Sequence, residues 1–265
     1  MIAAALAAGL AAGAVSAAAA PTPDKAAAAP TKVKAGPHRQ LTRADFNGYW
    51  MVTNFASHLE SVDKRMALTV EGEAPPFRPE AQAIYDKRIA DARKGIAFAD
   101  TDSRCTGPGM PRMMRGPAYP FFISQPLGKV LFNFEILHNV RWVYLNAKHP
   151  PAEDLDHNFQ GDSVATWSGN VLNIDTVGLS AETTLDKLGM PSSEDLHVVE
   201  KMYLTGPDNL EDLITIDDPK TFTHVWQYKA TYKRMPASTR IGEYVCQNNR
   251  NAPTADGSVG FDLKK

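Results

Sequence analysis

The stretch PSSEDLHVVEKMYLTGPDN, residues 191–209, carries an imidazole and a carboxylate three positions apart, His197 and Glu200. In a helix the two would share a face and could exchange a proton. Consecutive valines and the Gly206-Pro207-Asp208 turn predict a strand instead, which sends them to opposite faces. The face with Val198, Glu200, Met202 and Leu204 is the more apolar, so Glu200 is drawn inside. A buried carboxylate is costly unless paired or protonated. Glu200 therefore marks either an ion pair with an Arg or Lys, or a site.

Other strands carry tools of the same kind. KVLFNFEI and RWVYL flank LHNV, and a two-residue turn at His138 and Asn139 would set Glu135 opposite Trp142. One face of that hairpin is then Val130, Phe132, Phe134, Ile136, Val143 and Leu145, with Arg141 near the turn, and reads as packing core. The other mixes Asn133, Glu135, Trp142 and Tyr144, the makeup of a ligand cavity or of an exposed face with two rings. In the next hairpin Trp167, Leu172, Ala165 and Ile174 share a side, and Asp175 lies on the other with Thr166 and Asn173. In FTHVWQYKATY, Phe222, His224, Trp226, Tyr228 and Tyr232 fall on one side, more rings than a solvated face should show. His224 is either a satisfied core imidazole or a catalytic one. These groups suit proton transfer rather than covalent attack, and no nucleophile elbow or phosphate loop accompanies them. HPPAEDLDHNFQGDS gathers His149, Asp154, Asp156, His157 and Asp162, but its spacing matches neither an EF-hand nor a zinc helix. It reads as a polar loop with Asx turns, and no metal site is expected.

These residues must be positioned by strands. From Phe121 onward β-branched and aromatic residues alternate with polar ones between short turns, giving about eight antiparallel strands that close into an up-and-down barrel. GEYVC is read as the last of them. Ahead of them PFRPEAQAIYDKRIADARKG predicts a helix over about 79–94, with Ala83, Ile84, Ile89 and Ala92 as its apolar side. CTGPGMPRMMRGPAYP is rich in Gly and Pro and reads as loop. In LTRADFNGYW, Thr42 and Asp45 have capping-box spacing.

The 265 residues suffice for a sizeable core, and a net charge of −2 leaves no electrostatic footprint for nucleic acid. Residues 1–20 are apolar and Ala-rich, a secretory signal, with a membrane anchor as the rival reading. Residues 21–40 form a disordered linker, 41–250 a single barrel domain and 251–265 a tail. The two cysteines, Cys105 and Cys246, behind an export signal are expected to form a disulfide. The localisation expected is periplasmic or secreted, with no membrane contact after cleavage; a homo-oligomer is left open.

FNGYW resembles the G-x-W entry of lipocalin or calycin barrels, where a basic residue covers the Trp; Gly48 and Trp50 match, with Arg234 or Arg240 as the partner that the likeness implies. Over about residues 45–250 the chain also resembles a family of exported bacterial proteins seen in sphingomonads and their relatives. The residues that carry this are GPGMPRMM, RWVYLNAKHP, GDSVATWSGNVLNIDTVG, DLHVVEKM and EYVCQNN. The resemblance places Arg112, Arg141, His149, Asp156, Ser163, Trp167, Asp175, His197 and Glu200 on recurrent positions. Asn146-Ala147-Lys148 and Trp167-Ser168-Gly169-Asn170 depart from the family's usual Asp-Gly-Arg and Trp-Glu-Gly-Asp. It implies a fold and names no reaction.

Two functions fit this reading. One is a cofactor-independent lyase, isomerase or cyclase acting on a small hydrophobic or aromatic molecule. Glu135, Asp175, Glu200 and His224 would transfer protons, Arg141 would stabilise negative charge, and Asn133, Trp142, Tyr144, Trp226 and Tyr228 would hold the ligand. The other is a non-catalytic carrier with the same cavity.

Overall fold

The strands do close on themselves. A computed structural model describes residues 40–54, 69–96, 98–101, 104–115, 119–246, 251–253 and 259–261. The signal, all but the end of the linker and most of the tail lie outside these. Nine strands form a closed barrel in chain order: β1 (Gly48–Val52), β2 (Phe121–Ser124), β3 (Lys129–Phe134), β4 (Val140–Leu145), β5 (Asp162–Ser168), β6 (Val171–Val177), β7 (His197–Gly206), β8 (Asn209–Asp217) and β9 (Trp226–Arg234). A separate two-stranded ribbon pairs β10 (Asn251–Pro253) with β11 (Val259–Phe261).

The barrel is mixed, not purely up-and-down. β4 and β5 run parallel, with Val143 beside Ser163 and Leu145 beside Ala165. A parallel pair cannot be joined by a hairpin, so residues 146–161 form a crossover. Every other neighbouring pair is antiparallel, and β9 returns to β1 through Trp50↔Arg234.

Alternation decides what enters the barrel. Val130, Phe132, Phe134, Arg141 and Val143 are buried, as are Leu172, Ile174, Val198, Glu200, Met202, Ile214 and Tyr228 on later strands. The face read as packing core is therefore the lumen. The face read as a cavity, with Asn133, Trp142 and Tyr144, is the outside of the wall; Trp142 is 47% and Tyr144 39% exposed. A single closed sheet has no second layer to hide its outer face, so its bulkiest apolar side fills the middle. The β3–β4 register also differs: Val140 faces Asn133, four residues before the expected Leu137. A short 3-10 turn, Ile136–His138, bridges the strands, with Leu137 and His138 at positive φ. The shift is even, so each residue keeps its face.

The helix forms as α1 (Pro79–Arg93), although it docks through Ala81 and Tyr85, and Ile84 is exposed. Tyr85 donates to the buried carboxyl of Asp186. The Gly/Pro-rich segment is not all loop: α2 (Arg112–Arg115) is a single buried turn that plugs the barrel. Met113 and Met114 join the core, and the Tyr232 hydroxyl donates to the Met114 carbonyl at 2.7 Å. Arg112 forks onto Asp100 with two bonds of 2.7 Å. Cys105 and Cys246 are disulfide-bonded, tying the approach to the plug to the chain after β9. Residues 241–245 form no strand, contrary to the reading of GEYVC.

At the closure Trp50 is fully buried and donates to Phe46 O at 2.9 Å. The Arg234 guanidinium covers its ring at 4.2 Å from the centroid, in the manner that the lipocalin-like motif implies. Gly48 makes room for it, since a Cβ there would lie 2.7 Å from Arg234 Nη1. Asp45 caps Thr42 through its amide and hydroxyl, at 2.6 and 2.9 Å.

Candidate functional site

Four strands converge on one guanidinium inside the barrel. β4 presents Arg141, β5 Ser163, β6 Thr176 and β7 Glu200, each from an inward position. Arg141 is 1% and Glu200 0% exposed, so water can solvate neither. Arg141 meets Glu200 as a fork: Nη1 donates to Oε1 at 2.9 Å and Nη2 to Oε2. Nη2 also reaches Thr176 Oγ1 at 3.0 Å, Nε and Nη2 reach Ser163 Oγ at 3.3 and 3.2 Å, and the two hydroxyls lie 2.9 Å apart. Two charges that would be prohibitive alone neutralise each other and use most of their donors and acceptors. Glu200 thus takes the structural reading, with a cation from three strands away in chain order rather than from its own strand.

Beside this pair sits Asp212, on the inner face of β8 and fully buried. Met202 is its partner across the ladder, so Glu200 is its diagonal neighbour. Among the described residues no donor reaches either Asp212 oxygen. Its charged neighbours are the Glu200 carboxyl on the adjoining strand and the Arg141 guanidinium beyond it. Burial first, then the Glu200 charge, push Asp212 well above the usual carboxylate range, against a smaller opposing pull from Arg141. Asp212 is thus held toward its neutral form beside the Arg141–Glu200 pair.

The inner face of β9 continues the polar stripe. Tyr228 pairs across from Ile214, and Trp226 across from Ile216. The Tyr228 hydroxyl and the Trp226 Nε1–H are both buried without a partner among the described residues. Burial holds the Tyr228 phenol in its protonated form. The rings of Phe222, Trp226 and Tyr228 follow one another at 5.3 and 5.7 Å between centroids. Arg115 of the plug lies over the Tyr228 ring at 4.7 Å.

A cavity of about 450 Å³ reaches Tyr228 and Arg115. Its other walls include Asn54 and the outward Tyr203, Leu213 and Gln227. It forms where β1 leaves β9. Their pairing ends at Val52↔Tyr232, after which the Asn54 amide bonds Lys229 O and Thr231 N, and Val70 N–H bonds Gln227 O at 2.8 Å. Its volume is that of a small-molecule pocket.

The sequence-derived residues divide between the two sides of the wall. Arg141, Glu200, Trp226 and Tyr228 are inside. Asn133, Trp142 and Tyr144 are outside, where Lys129 Nζ packs on both rings at 5.2 and 5.8 Å. Glu135 accepts a bond from the Gly242 amide at 2.8 Å and faces no lumen. His224 precedes β9, is exposed and contacts Thr223 Oγ1 at 3.1 Å; the chain turns there, which breaks the alternation that grouped it with the rings.

Asp175 is outside too, in company the sequence did not suggest. Its Oδ1 meets His149 Nε2 at 2.9 Å and His197 Nε2 at 3.0 Å, and His149 Nδ1 meets Asp162 Oδ1 at 2.6 Å. The His197 bond, then the His149 bond, hold Asp175 below the usual carboxylate range against partial burial. Both imidazoles aim at the carboxylate oxygen itself, as hydrogen bonds do. Among the described residues no group of His, Cys, Asp or Glu is disposed to hold a metal ion.

Fold and site together define a closed, plugged β-barrel with a buried polar cluster and rows of inward rings. No family model and no curated protein matches the chain. Two crystal structures of mutants of the fluorescent protein UnaG are similar to it, at 14% and 12% identity. They cover 71% and 72% of this chain and 95% and 97% of theirs, each with a TM-score of 0.31. No helix among the described residues is long and apolar enough to cross a membrane.

Proposed function

We propose that the barrel binds a small, mainly apolar or aromatic molecule against Tyr228, Trp226 and Asp212. The observation that carries this is the set of buried polar groups without partners among the described residues, on Asp212, Trp226 and Tyr228, the last of which also lines the cavity. Each such group costs about 1–3 kcal/mol if left unsatisfied. Folded proteins rarely leave several together, and an occupant with a donor and an acceptor would satisfy them. The neighbouring rings would take its apolar body. An exported setting, periplasmic or secreted, agrees with the disulfide, and the resemblance to exported bacterial proteins fits the same proposal.

A second reading adds catalysis, and Asp212 favours it. A neutral carboxylic acid beside an ionised one is the arrangement by which an enzyme keeps a proton donor at neutral pH. On this reading Asp212 gives a proton to the bound molecule, Glu200–Arg141 holds the field that keeps it neutral, and no cofactor takes part.

Native mass spectrometry of gently purified protein tests the first reading. A bound species of small mass is expected, removed by denaturation. Tyr228→Phe should weaken its retention by about three- to tenfold, one neutral hydrogen bond. A protein that carries nothing and binds no member of an aromatic and terpenoid library would overturn the proposal. If Asp212→Asn binds the molecule but no longer converts it, the second reading holds; if wild type never converts it, the barrel is a carrier.

A further inference from the structure

The outer cluster does something that ligand binding in the lumen does not require: it pins a crossover. Residues 146–161 leave β4 and re-enter at β5, and His149 in this segment is held by Asp162 of β5 and Asp175 of β6. His197 of β7 clasps the same Asp175 oxygen. Asp217 faces His197 from β8, and Lys201 shares the outer face of β7. The far end of the same crossover seats the plug. Met110 N–H donates to Phe159 O at 2.8 Å, and Gln160 Nε2 reaches Met113 Sδ at 3.8 Å. Gly109, at φ +71°, packs so closely that a Cβ would come within 2.8 Å of Phe159 O. The plug in turn places Arg115 at the cavity.

We propose that the His149–Asp175–His197 cluster is a pH-responsive clamp that fixes the crossover, and through it the plug whose Arg115 lines the cavity. Its consequence for the ligand rests on the lumen reading above; the clamp itself does not. Both His149 nitrogens face carboxylate oxygens, and ionised carboxylates only accept. A proton on each nitrogen satisfies both contacts, while a neutral ring satisfies one. At His197, the Asp175 bond first, and then the charges of Asp175 and Asp217, raise the imidazole above its ordinary 6.5 in spite of partial burial. A raised folded value means that the added stability is present below 6.5 and is lost as pH rises through the folded value. His197 and Asp175 are 38% and 42% exposed, so solvent weakens the contact without abolishing it. The clamp loosens on the alkaline side.

Hydrogen exchange of the ligand-free protein tests this, read at the plug amides and corrected for the intrinsic pH dependence of exchange. Between about pH 5 and about pH 8, the span in which imidazole changes charge, protection of the Met110 and Met113 amides should fall. An exposed ion pair would make the fall about two- to fivefold. His149→Gln and His197→Gln should show low protection at both pH values, and Asp175→Asn should behave alike, whereas His224→Gln should follow wild type. Plug protection that is independent of pH in wild type, or a pH response that persists in His149→Gln, would overturn the clamp. A normal pH response in a protein that binds no small molecule would keep the clamp and sink the lumen reading, so the two fail separately.

Discussion

Removing the Glu200 charge leaves Arg141 with two hydroxyls and no counter-ion, in a place that water does not reach. Glu200→Gln should therefore cost about 3–5 kcal/mol, the toll of an uncompensated buried charge. Replacing Arg141 and Glu200 together by methionine should recover most of that loss. Urea unfolding of the three proteins checks both, and a neutral single substitution would show that the pair is not closed. Asp212 behaves in the opposite sense. Its folded form keeps its proton above 3.8, where the unfolded chain has released it. The native state then binds more protons, so stability falls as pH rises from 3.8 toward the raised folded value. Asp212→Asn, which mimics the protonated acid, should flatten that decline, as thermal unfolding across the acid-to-neutral range can show. Both carboxylates carried one sequence signal: an acid at an apolar position of an alternating strand, Glu200 between Val198 and Met202, Asp212 between Leu210 and Ile214. Asp212 was thus as legible on β8 as Glu200 is on β7.

At the scale of elements, the plug shows how local chemistry misleads. Glycines and prolines mark residues 105–120 as irregular, and most of the described part is, but Arg112–Arg115 coils into one buried turn because the lumen needs filling. The disulfide fastens this segment at a sequence separation of 141. On the chain-entropy view, closing so long a loop contributes up to about 5 kcal/mol. Changing both cysteines to alanine should lower stability by several kcal/mol on that scale, and a thiol titration of the unreduced, denatured wild type should find no free sulfhydryl. Two free thiols would contradict the bond. The pairing was legible from cysteine count and context. The crossover was not, because a parallel neighbour leaves no mark in hydrophobic alternation, and the loop in HPPAEDLDHNFQGDS has only its length to announce it. Nor was the outer cluster, whose four members come from a loop and three strands and meet only when the sheet curls.

For the whole molecule, alternation was enough to give a closed β-barrel and to sort residues into two faces. It could not say which face of the first hairpin was the lumen. Rings beside an amide and a carboxylate looked like a cavity lining, yet Trp142 and Tyr144 stand outside, where a lysine covers them. Closure settles the matter: the inside belongs to the face that fills space, and the polar groups that enter must pair, as Arg141 and Glu200 do, or wait for a partner, as Tyr228, Trp226 and Asp212 do. The most direct test of an occupied lumen is a crystal structure of protein purified without denaturation, examined for density beside these three side chains. A connected organic molecule is expected, with polar atoms at hydrogen-bond distance, about 2.7–3.2 Å, from the Tyr228 hydroxyl or the Asp212 carboxyl. Isolated waters bridging the three groups, with no density for a larger body under any library compound, would contradict it.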